Sequence, residues 1–169
     1  MSEASSSAPA ETPVQPLRIF LVVVDDSPEF SVALAYACRR AAKVGGRVAL
    51  LYVMEPIEFQ NWRAIEELMR EERRLDGEQV LQRHAKEVVR LTGAAPVFHL
   101  REGARREELL NLLEEDHSIS VLVLAAGSGA EGPGPLLSHF ATAGYGRLRI
   151  PLTIVPGTLT EAELDVVSQ

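Results

Sequence analysis

The stretch Ile19-Phe20-Leu21-Val22-Val23-Val24-Asp25-Asp26-Ser27-Pro28-Glu29 decides the fold. Six apolar residues without alternation, four of them β-branched, describe a strand covered on both faces, the condition of a strand inside a parallel sheet. The acidic pair ends it. Ser27 offers a capping oxygen, Pro28 tolerates the first helical position and Glu29 puts negative charge in the first turn, so a helix is expected to begin there. Its buried face is Phe30, Ala33, Leu34, Ala37, Cys38 and Ala41, at steps of three and four, and Gly45-Gly46 ends it.

Outward from that unit the pattern repeats. Residues 48–54 read as a second strand with Pro56 at its exit, 65–91 as helix, 96–100 as a third strand and 104–115 as a third helix. A fourth strand over 119–126 runs into the loop Gly127-Ser128-Gly129-Ala130-Glu131-Gly132-Pro133-Gly134-Pro135, followed by a short helix over 136–143 and a fifth strand over 151–155. Strands separated by helices require right-handed crossovers, which gives an α/β fold with one open parallel sheet and helices on both faces. In the long helical segment the row Ile65, Leu68, Leu75 is out of phase with Leu81, Ala85, Val88, and Gly77 lies between them, so a bend or break is expected there. Its seven basic and seven acidic residues between Arg63 and Arg90 make a solvated face. Trp62, just ahead of it, reads as lid or dimer packing.

Residues 1–16, rich in Ser, Ala, Glu and Pro, read as a disordered leader ahead of a domain over 17–157. In the tail, 158–169, Thr160 and Glu163 have capping-box spacing and predict a short terminal helix. A chain of 169 residues with 46% hydrophobic content fits one domain with a sizeable core. Its net charge of -7 contains no basic block, which argues against a nucleic-acid or anionic-membrane surface. Cys38, the single cysteine, excludes an intrachain disulfide and falls on the buried face of the first helix, where a structural thiol is expected. The longest apolar run is too short to cross a membrane and the N-terminus has no secretory pattern, so the expected location is the cytoplasm.

Open parallel sheets take ligands beyond the carboxyl ends of their strands. Asp25 and Asp26 follow the first strand and the glycine-rich loop follows the fourth; if those strands are neighbours, both features face one crevice. A carboxylate there accepts hydrogen bonds from ribose hydroxyls or a base amine, while glycines let backbone N–H groups approach a phosphate. Two tight turns, with Asp26 bonded to local backbone, explain the same residues without a ligand. The formal G-x-G-x-x-G at Gly127, Gly129 and Gly132 follows the wrong strand for a dinucleotide fold, and no Lys follows the glycines as a P-loop requires. A receiver domain is excluded by the lack of an Asp after strand three and a Lys after strand five. His84, His99, His117 and His139 have no metal-ligand spacing. No nucleophile elbow surrounds Ser128 or Ser138; His139 beside Ser138 is the one candidate acid or base.

Val22-Val23-Val24-Asp25-Asp26-Ser27, the alanine-rich helix and Gly45-Gly46-Arg47-Val48-Ala49-Leu50-Leu51-Tyr52-Val53 together resemble the opening half of universal stress proteins. Glu102-Gly103, Leu122-Val123-Leu124 and Ile150-Pro151-Leu152-Thr153-Ile154-Val155 extend the resemblance over residues 18–156. It implies an adenine nucleotide alpha hydrolase-like sheet in the order 3-2-1-4-5 and a homodimer through residues 151–155. It also implies an ATP or AMP site at Asp25, Asp26, Val53, Ala126, Gly127, Gly129, Gly132, Ser138 and His139. The family loop has a G-x-x-G followed later by Gly-Ser or Gly-Thr. Here Ala126 stands for the first glycine, and Ser138-His139 or His139-Phe140 for the closing pair. Bulk at those positions and two prolines without N–H weaken the phosphate cradle. The expected function is a non-catalytic stress-response regulatory or protective domain that binds a small anionic or adenine-nucleotide ligand weakly. The alternatives are an ATP- or AMP-binding form with slow hydrolysis and a ligand-free interaction module with an unknown protein partner.

Overall fold

The apolar run after Arg18 becomes β1 (Ile19–Val23), buried at every residue. The structure, a computed structural model, describes residues 16–57 and 63–169. Successive strand side chains point to opposite faces. Phe20, Val22 and Val24 therefore enter one core and Ile19, Leu21 and Val23 the other. The first core is closed by α1 (Phe30–Val44), α2 (Arg63–Thr92) and α5 (Glu161–Val167), through residues such as Ala37, Cys38, Leu81 and Leu164. The second is closed by α3 (Arg105–Glu115) and α4 (Pro135–His139), through Leu109, Leu112 and Leu137, with Phe140 beyond them. Each fully buried aliphatic side chain contributes about 1.5–3 kcal/mol, and β1 supplies both cores at once. A Leu21→Ala change would open a hole at the centre of the second.

The sheet is parallel throughout and ordered β3-β2-β1-β4-β5, with β2 (Arg47–Met54), β3 (Val97–Glu102), β4 (Ile119–Ala126) and β5 (Leu152–Pro156). The chain moves outward from β1 to β3, then returns to the other side of β1. The order therefore reverses between β1 and β4. At their start the β1/β4 register slips by one residue, from Ile19 opposite Ile119 to Phe20 opposite Val121. The residue left over is Ser120, whose Oγ accepts the Ile19 N–H at 3.3 Å, so the slip leaves no donor unpaired.

Three local expectations are corrected. Helix α2 runs unbroken through Gly77. A methyl group there would lie 2.9 Å from Leu100 Cδ1 and 3.0 Å from the Tyr52 ring, so Gly77 is the point where the helix backbone touches the sheet. Helix α1 starts at Phe30 without a side-chain cap, because Ser27 belongs to a turn in which its carbonyl accepts from Phe30 N–H at 3.2 Å. The short fourth helix is α only to His139; it continues as one π turn over Phe140–Gly144 and a 3-10 turn over Tyr145–Arg147. Elsewhere Gly45, at φ 66, ends α1 in the left-handed conformation. Thr160 and Glu163 form the reciprocal capping box of α5. Trp62 and residues 1–15 lie outside the described residues.

Candidate ligand-binding site

The reversal of strand order leaves a crevice at the carboxyl ends of β1 and β4, with a volume of about 270 Å³. Its floor is apolar, from Val22, Val23, Val123, Leu124 and Ala125, with Phe30 and Ala33 of α1 on one side. Asp25, Asp26 and Ser27 form one rim, and the end of the glycine loop with the start of α4, Pro133 to Leu137, forms the other. Arg105, the first residue of α3, also reaches the crevice. In a parallel sheet every crossover helix that follows a strand begins at this same edge, and that places Arg105 there.

The site residues read from the sequence separate into two groups. Asp25 and Asp26 line the crevice; Val53, Ala126, Gly127, Gly129, Gly132, Ser138 and His139 do not. Asp25, not Asp26, makes the local turn, its Oδ1 accepting the Ser27 N–H at 2.9 Å. Val53 is buried in β2 opposite Arg101 of β3. Ala126 ends β4, where its carbonyl accepts from Gly157 N–H at 2.9 Å. Gly127 and Gly132 use their own N–H groups inside the loop, donating to the carbonyls of Pro133 at 3.3 Å and Gly129 at 3.1 Å. A side chain at Gly127 would meet the Gly132 carbonyl at 2.8 Å and the Glu29 carboxylate at 3.5 Å. An acidic group thus stands beside the first loop glycine. Ser138 is exposed on α4, with its N–H on the Gly134 carbonyl at 3.0 Å. His139 Nδ1 lies 3.5 Å from Arg106 Nη1.

Arg105 is the residue that sequence reading missed. Among the described residues its Nε is buried without a hydrogen-bond partner, and its guanidinium makes no ion pair or side-chain hydrogen bond. The available signal was its place, two residues after Gly103 at the first position of a helix that follows a strand. His84 approaches the crevice from behind: its ring stands edge-on to Phe30 at 4.7 Å and it feels the charge of Asp26. Among the described residues no three His, Cys, Asp or Glu side chains converge to hold a metal ion. No helix there is long and apolar enough to cross a membrane.

A model of the universal stress protein family matches residues 16–156. The chain belongs to the universal stress protein family. Solved structures of that family share its fold. A family member from Burkholderia pseudomallei is 25% identical, with a TM-score of 0.60 over 85% of this chain and 99% of its own. UspA from Lactobacillus plantarum is 14% identical, with a TM-score of 0.66 over 83% of this chain and 97% of its own. A family protein from Arabidopsis thaliana, solved with AMP bound, is 14% identical, with a TM-score of 0.54 over 83% and 92%. No curated protein sequence matches the chain. Within the universal stress protein frame, this chain keeps the acidic end of β1 and the crevice at the switch point. Its loop after β4 is folded back on itself.

Proposed function

We propose that this universal stress protein is a non-catalytic regulatory or protective domain that takes up an adenine mononucleotide in the crevice between Asp25 and residues 133–137. The observation that carries the reading is the apolar crevice at the β1/β4 switch point with a carboxylate on its rim. Open parallel sheets bind ligands at that place, and the apolar floor suits a flat base while Asp25 suits hydroxyl or amine donors. AMP in the Arabidopsis relative supports the ligand class. A volume of about 270 Å³ lies at the small end of ligand sites, which favours a mononucleotide over a triphosphate.

Calorimetric titration with AMP tests this. Binding with a raised melting temperature is expected, and about 2.7 kcal/mol of added stability at a free ligand concentration a hundred times Kd. Asp25→Ala should weaken AMP binding about tenfold or more, as loss of a charge-assisted hydrogen bond does, and Asp26→Ala should weaken it less. No heat and no melting shift with AMP would sink the reading.

The edge of the sheet favours a second role, self-association through the last strand. Among the described residues β5 pairs only with β4, and Ile154 on it is 45% exposed. An open edge of this kind is a template for a second strand. Light scattering should then give twice the 18.5 kDa chain mass, and Ile154→Lys should return it to one. A wild-type mass of a single chain would overturn this role.

A further inference from the structure

We infer that Arg105 is the anion anchor of this crevice, and that it makes the site select a nucleoside monophosphate over both the bare nucleoside and the triphosphate. The inference rests on the mononucleotide reading above and adds to it the residue that recognises the phosphate.

Four arginines and histidines among the described residues have a buried side-chain nitrogen without a partner: Arg39, Arg73, His99 and Arg105. Three of them have other engagements. Arg39 binds Glu161 and Asp165, Arg73 donates to the Glu55 carbonyl at 2.7 Å, and His99 faces Asp116 at 3.8 Å. Among the described residues Arg105 has neither an ion pair nor a side-chain hydrogen bond, and it is the one of the four that lines the crevice. A half-buried cation with an orphaned donor is unfavourable until an anion arrives, and a guanidinium prefers a planar, bidentate anion such as phosphate.

The rest of the crevice points the same way. The loop that cradles phosphate elsewhere is poorly equipped here: the N–H groups of Gly127 and Gly132 are used internally, Pro133 and Pro135 have none, and Glu29 stands by Gly127. Asp25 and Asp26 repel an anion from their own rim. One guanidinium apart from two carboxylates therefore matches a ligand with a hydroxyl-bearing end and a single anionic group. A triphosphate brings more negative charge than one guanidinium offsets, and its outer phosphates would meet the crevice wall at Pro133 and Pro135, which have no N–H to donate.

Titrating AMP, adenosine and ATP into the full chain and into Arg105→Ala tests the assignment. Wild type should bind AMP about tenfold or more tightly than adenosine, and more tightly than ATP. Arg105→Ala should bring AMP down to the adenosine affinity and leave adenosine unchanged. Since the side chain makes no bond among the described residues, the melting temperature of Arg105→Ala without ligand should not fall; Arg105→Lys should restore part of the AMP preference, as a charge without the planar fork. If Arg105→Ala binds AMP as wild type does, the anchor is overturned while the mononucleotide reading stands. If neither AMP nor adenosine binds wild type, both are overturned.

Discussion

Gly127 and Gly129 look alike in the sequence and differ in what surrounds them. A methyl group at Gly127 would sit 2.8 Å from the Gly132 carbonyl, whereas at Gly129 nothing lies within 4 Å. Gly127→Ala should therefore cost about 1 kcal/mol, the low end of overpacking, and Gly129→Ala should be neutral in urea unfolding. Equal effects would mean the loop is not closed as described. Cys38 has a similar contrast between type and setting. It is fully buried on the inner face of α1, and burial, with the Glu87 charge adding, pushes its thiol up to about 12. A thiol reagent near pH 8 should leave the native protein unmodified and react fully once it is unfolded; rapid native labelling would contradict the packing. Its burial was readable from helical spacing. The exposure of Arg105 to the crevice was not, because no periodicity records which helix start faces a ligand.

At the scale of elements, patterns with a strong period were legible and the joints between them were not. β4 lies where its apolar run places it, Ile119–Ala126, and Gly45 ends α1 as its position implied. The supposed break at Gly77 came from reading glycine as a helix breaker. Tertiary contact decides otherwise, since α2 needs a residue without a side chain where it crosses Tyr52 and Leu100. The two apolar rows of α2 are out of phase because only the second packs: Leu81, Ala85 and Val88 are buried, while Ile65, Leu68 and Leu75 are exposed. Helix α5 is too short to stand alone. It is held by the capping box, by buried Leu164 and by Arg39 reaching Glu161 and Asp165. Thr160→Ala removes the acceptor for Glu163 N–H and should cost about 1 kcal/mol. Amide exchange over 161–167 should then quicken about fivefold; unchanged exchange would show that the cap is idle.

For the whole molecule, the alternation of strands and helices already implied a parallel sheet, and the family resemblance supplied the strand order that places the crevice. What no local pattern holds is which titratable side chains the fold buries, and that shapes the response to acid near neutrality. His84, on α2, and His99, on β3, are held below the ordinary histidine value of 6.5 chiefly by burial. Arg83 adds to this at His84 while Asp26 opposes it; at His99, Asp116 opposes and Arg101 adds. Each imidazole takes a proton more readily in the unfolded chain, so between its folded value and about 6.5 unfolding binds protons and stability rises with pH. The contribution is complete above about 6.5, declines as pH falls through that window and levels off below the folded values. Paired carboxylates act at lower pH and in the same direction. Glu71, Glu87 and Glu115, held down by Arg74, Arg90 and Arg101, add stability that is lost as pH falls below the ordinary value of 4.5. Melting temperature should thus fall in two stages, one beginning near pH 6.5 and a second below about 4.5, where exposed pairs of this kind add little each. The double variant His84→Gln, His99→Gln should flatten the first stage and leave the second. A first stage of unchanged slope in that variant would assign it to other groups and overturn the role of the two histidines.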